Sequence, residues 1–260
     1  MRLTRVSCSV ATRAPTGQTH AYVLGDEDAL LVDPAAREAG LDDLESVAHV
    51  AVTHHHPDHV GAVAHYAAEH DATVWCRVGR GAAFEAATGV APDRTFAEGT
   101  VVETGDGPVT VVDTPGHAPE HVGFSFAGDT GREELLVGDL AVATGSVVVG
   151  HPTGDVRTYL ASLRRLWARA PAILHPAHGP TIEDPRATCV RLIDHRRERE
   201  AKVLAAVEGG AETVAEITDA AYEKDLTGVA DLAHATVRAH VEKLRVERKV
   251  RWDGERASPV

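Results

Sequence analysis

The sequence predicts a layered α/β protein with a smaller helical module at its C-terminus, and three observations predict it. Over residues 1–184, short apolar runs that read as strands are interspersed with stretches of helical periodicity. Over residues 185–260 the character changes to three helical patterns and a short terminal strand. The third observation is chemical. Thr53–His59 reads Thr-His-His-His-Pro-Asp-His directly after the apolar run Val47–Val52, so a buried strand ends in His54, His56, Asp58 and His59 on one tight loop. Imidazole nitrogens and a carboxylate gathered in this way match zinc, which takes them at about 2.0–2.2 Å. Two interleaved ligand pairs point to two metals, and so to activated water and hydrolysis.

Taken in order, Val6–Val10, Ala21–Leu24 and Leu30–Val32 read as short strands separated by Gly and Asp turns, and Asp33-Pro34 stops the third. Ala39–Ala48 reads as a helix leading into the Val47–Val52 strand. Gly61–His70 has helical periodicity, Thr73–Cys76 is a strand and Gly81–Thr88 a second helix. Val109–Asp113 is a strand ending in Thr114-Pro115-Gly116-His117. His121–Phe126 and Glu134–Val137 pair as a hairpin around Gly128-Asp129-Thr130-Gly131. Val156–Arg169 is an amphipathic helix, and Ile173–Leu174 a short strand before His175-Pro176-Ala177-His178-Gly179. Thr188–Val207, Val214–Tyr222 and Leu232–Arg248 are helical, and Val250–Trp252 is a strand or wing. Three helices and a terminal strand resemble a winged-helix-like module. Its last helix carries Arg238, Lys243, Arg245, Arg248 and Lys249, and the alternative is a solvated helical cap.

Composition narrows the classes. No apolar run reaches the roughly 18 residues of a membrane helix, and Met1–Gly25 has no continuous apolar segment of the signal-peptide kind. No membrane partner is expected, and the cytoplasm is the default location. Cys8, Cys76 and Cys189 are widely spaced and read as small buried hydrophobes. Net charge is −13, with 26 basic and 39 acidic side chains, a halophile-like acidity that keeps a protein hydrated. Residues 185–260 are neutral, with 14 charges of each sign, and form the segment least hostile to nucleic acid.

Further candidate ligands stand at predicted strand ends: His117, Asp139 and His178, with Asp33 in support. Ligands arriving from separate strand ends converge on one edge of a sheet sandwich, which makes a rigid site. Asp129 competes with Asp139, but it sits in a turn signal, whereas Asp139 follows an apolar strand. His55 alternates with the ligands and is expected to point away. His151 and His175 are candidates for the flanks of the cleft.

This ordered set resembles the metallo-β-lactamase superfamily, whose loop reads His-x-His-x-Asp-His, followed by a distant His, an Asp and a last His. The resemblance implies a four-layer αββα sandwich with two zinc ions at one edge, iron or manganese remaining open. It assigns His54, His56 and His117 to the first ion, Asp58, His59 and His178 to the second, and Asp139 to both. Asp33 takes a histidine-orienting role, His121 faces the pocket either as support for the ligands or as a substrate contact, and Asp58 orients a hydroxide shared by the metals. His-Pro-Ala-His-Gly at 175–179 departs from the family's Tyr-Pro-Gly-His-Gly.

Leu192–Glu200, Ala221-Tyr222 and Ala239–Leu244 further resemble the C-terminal part of β-lactamase-like protein 2. That resemblance implies a single-stranded RNA phosphodiesterase of endoribonuclease type as the first expectation. The alternative is a thioesterase or esterase of glyoxalase II-like or polyketide-releasing type, acting on a small molecule. An iron-dependent persulfide dioxygenase and a non-catalytic nucleic-acid binder stand behind these, and a homodimer is left open. The apolar loop Thr144–Asp155 is a candidate to shape an acyl or aromatic pocket, and the acidity of residues 1–184 disfavours a polyanion at low salt.

Overall fold

The computed structural model describes residues 1–223 and 225–260. Its elements are β1 (Leu3–Ser9), β2 (Gln18–Leu24), β3 (Ala29–Val32), α1 (Ala39–Asp42), β4 (Val47–Ala51), α2 (Pro57–Val60), α3 (Val63–Glu69), β5 (Thr73–Arg77), α4 (Gly81–Thr88), β6 (Arg94–Phe96), β7 (Val101–Thr104), β8 (Gly107–Asp113), β9 (Val122–Ala127), β10 (Glu133–Gly138), α5 (Val156–Arg169), β11 (Ile173–Pro176), α6 (Pro185–Glu208), α7 (Val214–Ala221), α8 (Ala230–Val246), β12 (Val250–Trp252) and β13 (Ala257–Pro259). Two compact units divide them. One comprises Met1–Thr114, Glu120–Thr144 and Ala170–Pro185; the other comprises Pro115–Pro119, Gly145–Arg169 and Arg186–Val260. The second unit therefore takes in α5 and a five-residue turn as well as everything after Pro185.

In the first unit, one sheet has the order β1-β2-β3-β4-β5-β6 and the other β11-β10-β9-β8-β7. The first three strands are antiparallel, and β3 to β6 are parallel. Alternation explains why β3 and the second half of β2 are apolar throughout. Ala21, Val23, Ala29 and Leu31 pack with Val63, Tyr66 and Phe84 of the helices, while Tyr22, Leu24, Leu30 and Val32 meet Val111, Phe124 and Leu136 of the other sheet. Both faces are covered, so both side-chain sets are apolar.

Three local expectations change. The helix expected over 39–48 is a single turn, Ala39–Asp42, because parallel pairing of Val47 with Ala29 claims the following residues for β4. The edge strands β6 and β7 are additions: each is short and gains its conformation from a neighbour, β5 or β8. The helix expected from Thr188 begins at Pro185, where a missing N–H is harmless in the first turn.

The second unit holds α6, α7, α8 and the β12–β13 hairpin around Val203, Val207, Ile217, Val237, Val241, Leu244 and Trp252. Thr213 caps α7 in a reciprocal capping box with Glu216. Three of the five basic residues expected to face a nucleic acid are paired within this unit. Arg238 pairs with Glu242 (3.2 Å), Lys243 with Glu200 (2.5 Å) and Glu247 (2.6 Å), and Lys249 with Glu247 (2.8 Å). Among the described residues, no helix is long and apolar enough to cross a membrane. Cys8, Cys76 and Cys189 are free and buried.

His240 gives this unit a pH sensitivity. It is fully buried, and neither ring nitrogen has a hydrogen-bond partner among the described residues. Burial, then the charges of Arg196, Lys243 and Arg199, lower its pKa to about 3. An unfolded histidine protonates near pH 6.5, so below that pH the unfolded chain binds a proton that the folded chain refuses until about 3. Stability is expected to fall with decreasing pH through this window, by up to about 1.4 kcal/mol per pH unit. Melting temperatures of the wild type and His240→Leu between pH 7 and 5 check this; parallel slopes would refute it.

Candidate metal centre

The centre in the first unit is built from strand ends. β4 delivers Thr53 and His54; α2, with Pro57 at its first position, turns His56, Asp58 and His59 back over the strand. The end of β10 delivers Asp139, and the turn after β11 delivers His178. His54, His59 and Asp139 each bring a ligand atom within 4.8 Å of the others, and so do Asp58, His59 and His178. Asp139 Oδ1 lies 3.3 Å from His178 Nε2 and 3.7 Å from His59 Nε2. Asp58 oxygens lie 3.8 Å from His178 Nε2 and 4.0 Å from His59 Nε2. Donors about 2.1 Å from a common tetrahedral ion stand about 3.4 Å apart, so this set has the spacing of a ligand cage.

Hydrogen bonds decide which nitrogen each histidine presents. His59 Nδ1 donates to Asp33 Oδ2 (3.0 Å) and His178 Nδ1 to the Gln18 carbonyl (2.8 Å). Thr53 Oγ1 donates to Asp33 Oδ2 (2.8 Å), so it accepts from His54 Nδ1 (3.0 Å). The lone pairs thus sit on Nε2 of all three rings. His54 Nε2 is 2.9 Å from His56 Nδ1, within hydrogen-bond distance, so the two nitrogens face one another. His59 Nε2 is buried without a hydrogen-bond partner. An orphaned nitrogen beside two carboxylates fits a metal ligand.

Electrostatics agree. Burial acts to lower the His59 pKa, but Asp33, then Asp139 and Asp58, outweigh it and push it up to about 9. His178 is raised against its burial by Asp139. The carboxylates demand positive charge at this point, and a divalent ion supplies it without a proton.

The remaining candidates have definite places. Asp33 is buried at φ +52° and binds the Thr53 N–H (2.6 Å) as well as His59. His121 is fully buried: its Nδ1 donates to Thr114 Oγ1 (2.8 Å), and its Nε2 accepts the Asp139 N–H (3.0 Å). Both ring nitrogens are thus engaged within the protein, and the ring supports the Asp139 backbone, one of the two roles expected of it. His175 Nε2 is paired with Glu134 (2.7 Å) and its ring stacks on Phe126, which commits it to the sheet. His55 turns to Glu120 and Phe84. Asp129 lies in the β9–β10 turn, outside the cluster. In the second unit, His117 Nδ1 donates to the Val148 carbonyl (2.7 Å) and His151 pairs with Glu242 (3.1 Å).

Three participants escape a reading of the sequence. Thr53 relays between Asp33 and His54. Thr12 Oγ1 donates to Asp58 Oδ2 (2.5 Å) from an irregular segment whose sequence carries no signal for it. Gly138 has φ +47°, and a Cβ there would stand 2.7 Å from both His121 Nε2 and Thr53 Oγ1. Gly138→Ala is therefore expected to displace Asp139 and to lose metal, with about 1–2 kcal/mol of backbone strain added. Metal content after dialysis and the melting temperature check it; an unchanged metal content would refute it.

A sandwich of two mixed sheets with histidine and aspartate clusters at the strand ends defines a metal-dependent hydrolase scaffold. Residues 14–178 match the model of the metallo-beta-lactamase superfamily, and the chain belongs to that superfamily. It is 29% identical to the atrochrysone carboxyl ACP thioesterase of Aspergillus fumigatus, over 82% of this chain and 71% of that protein. It is 28% identical to a beta-lactamase-like protein 2 homolog of Drosophila melanogaster, over 87% of this chain and 78% of that one. The fold matches a metallo-beta-lactamase family protein from Thermus thermophilus with a TM-score of 0.79, 23% identity and coverage of 99% and 98%.

Proposed function

We propose that this chain is a dinuclear metal hydrolase acting on an acyl thioester or ester. The observation that carries the hydrolase reading is the set of imposed tautomers, which aims His59 and His178 through Nε2 at Asp58 and Asp139. We assign His54, His56 and His117 to one ion, Asp58, His59 and His178 to the other, and Asp139 to both. Zinc suits this nitrogen and oxygen set. When bound, two such ions supply an ionised water near neutral pH and positive charge opposite a developing oxyanion.

The chain's own groups set the stage for that chemistry. Asp58, steadied by the hydroxyl of Thr12, would orient the attacking hydroxide while serving as a ligand. Asp33 keeps the Nδ1 proton on His59 and, through Thr53, on His54. His121 holds the Asp139 backbone.

Two observations favour an acyl substrate over RNA. The basic side chains Arg238, Lys243 and Lys249 are paired with carboxylates of their own unit, so no cationic track for a polyanion is assembled from them. Val147 and Val149 are buried and Val148 is 37% exposed, an apolar segment next to the carbonyl that holds His117. Metal-loaded protein assayed side by side on an acyl-coenzyme A and a single-stranded RNA, at low and high salt, tests the choice. Thiol release with inert RNA is the expected result; RNA cleavage without thiol release would return the phosphodiesterase reading. Metal analysis giving one iron and no zinc would instead favour an oxygenase.

A further inference from the structure

The helix α6 carries a charge that the proposed chemistry does not use. Arg196 is 2% exposed, yet no carboxylate pairs with it among the described residues. Its Nη2 donates to the Val147 carbonyl, its guanidinium lies 5.5 Å from the centre of the Tyr159 ring, and its Nε has no partner. A buried guanidinium without a counter-ion is expensive to keep, so what it holds calls for a reason.

What it holds is one peptide unit away from His117. The Val148 carbonyl, next along the chain from Val147, accepts His117 Nδ1 at 2.7 Å. The same segment is tied down on either side. Arg191 donates to the Gly145 carbonyl, the His151 N–H donates to the Ala235 carbonyl (3.0 Å), and Gly150 packs so closely that a Cβ would stand 2.9 Å from the Ala235 Cβ. Gly116, at φ +133°, presses on Tyr159, where a Cβ would fall 2.3 Å from the backbone. Ser162 Oγ donates to the Pro115 carbonyl (2.7 Å), and the Asp155 N–H to the Gly116 carbonyl (2.8 Å). Pro115–His117 is thus clamped from below by α5, while its ring is steered by a carbonyl whose neighbour is held by α6.

We propose that Arg196 is a positioning residue for His117: by holding the Val147 carbonyl it fixes the Val148 carbonyl, and with it the orientation in which His117 presents Nε2 to a metal. The inference rests on the assignment of His117 as a ligand. It gives the Arg-rich stretch of α6 a role in metal binding in place of one in binding nucleic acid. Partners that orient a ligating histidine typically contribute about 10–100-fold to metal affinity.

Cobalt(II) titration of the metal-free, full-length protein, followed by visible absorption, tests it. The wild type is expected to take two equivalents. Arg196→Met, which keeps the stem but not the donor, is expected to take one as the wild type does and to bind the other about 10–100-fold more weakly. On the acyl thioester its kcat should fall more than its KM rises, and Arg196→Lys should recover a large part of both. Wild-type affinity for both equivalents, or equal weakening of both, would overturn the proposal. If Arg196→Met does not fold, Arg196→Gln gives the same reading: its shorter reach should weaken one equivalent, and no change would count against the proposal. His117→Ala separates the two levels. If it leaves both equivalents intact, the ligand assignment fails; if it removes one while Arg196→Met changes nothing, only the positioning role fails.

Discussion

Replacing His56 with alanine is expected to yield a folded protein that holds one metal equivalent fewer and has lost at least a thousandfold in kcat/KM, on the order of 4 kcal/mol of transition-state stabilisation. The reason lies in where the side chain sits. His56 is only half-buried and immediately precedes α2, whose first turn is already set by Pro57, so truncation opens no core cavity. Its Nδ1, however, stands 2.9 Å from His54 Nε2, so the two nitrogens face one point, and the proposed ligand set places one ion there. Loss of turnover should therefore come without loss of fold. Metal content by elemental analysis and the far-ultraviolet circular dichroism spectrum check it together; full metal content at full rate would remove His56 from the site.

The second large effect is expected from a residue assigned to neither ion. Asp33→Asn preserves size and a backbone at φ +52°, which asparagine tolerates. It changes what the buried oxygens can do. Oδ2 accepts from both Thr53 Oγ1 and His59 Nδ1. An amide nitrogen in that position donates where acceptance is needed, while an amide oxygen there leaves the Thr53 N–H facing a donor. One buried donor is stranded in either case, which costs about 1–3 kcal/mol. With the amide nitrogen at the Oδ2 position, the His59 tautomer is no longer enforced and the Thr53 hydroxyl is freed to donate to His54. Metal affinity is expected to weaken about 10–100-fold, and the melting temperature to fall even in the metal-free protein. A variant with wild-type affinity would show that Asp33 is dispensable for orienting the ligands.

Much of this centre was legible before any coordinates because its core is contiguous. His54, His56, Asp58 and His59 lie within six residues, and their side-chain types are those that bind cations; neither fact depends on how the chain folds. The strands that carry them were legible too. Central strands of a sandwich are covered on both faces, so Leu30–Val32 is apolar without interruption and Val47–Val52 is broken only by His49. Edge strands lack that signature. Arg94–Phe96 and Val101–Thr104 owe their conformation to a neighbour far along the chain or across a tight turn, and composition does not announce it.

Roles filled through hydrogen bonds were the least legible. His121 and His175 read in the sequence as neighbours of the site with no assigned partner; Thr114 and Asp139 engage the first and Glu134 the second. Thr12 reaches Asp58 across 46 residues, and Arg196 reaches Val147 across 49. Arg238 and Lys243 of α8 read as part of a basic face until Glu200, Glu242 and Glu247 are seen beside them. The sequence by itself determined which atoms are available to bind metal and in what local order, because those are properties of residue type and spacing. Only the tertiary structure decided which nitrogen each histidine presents, which charges are already neutralised and which peptide carbonyl steers His117, because each of these depends on a partner that chain connectivity does not place nearby.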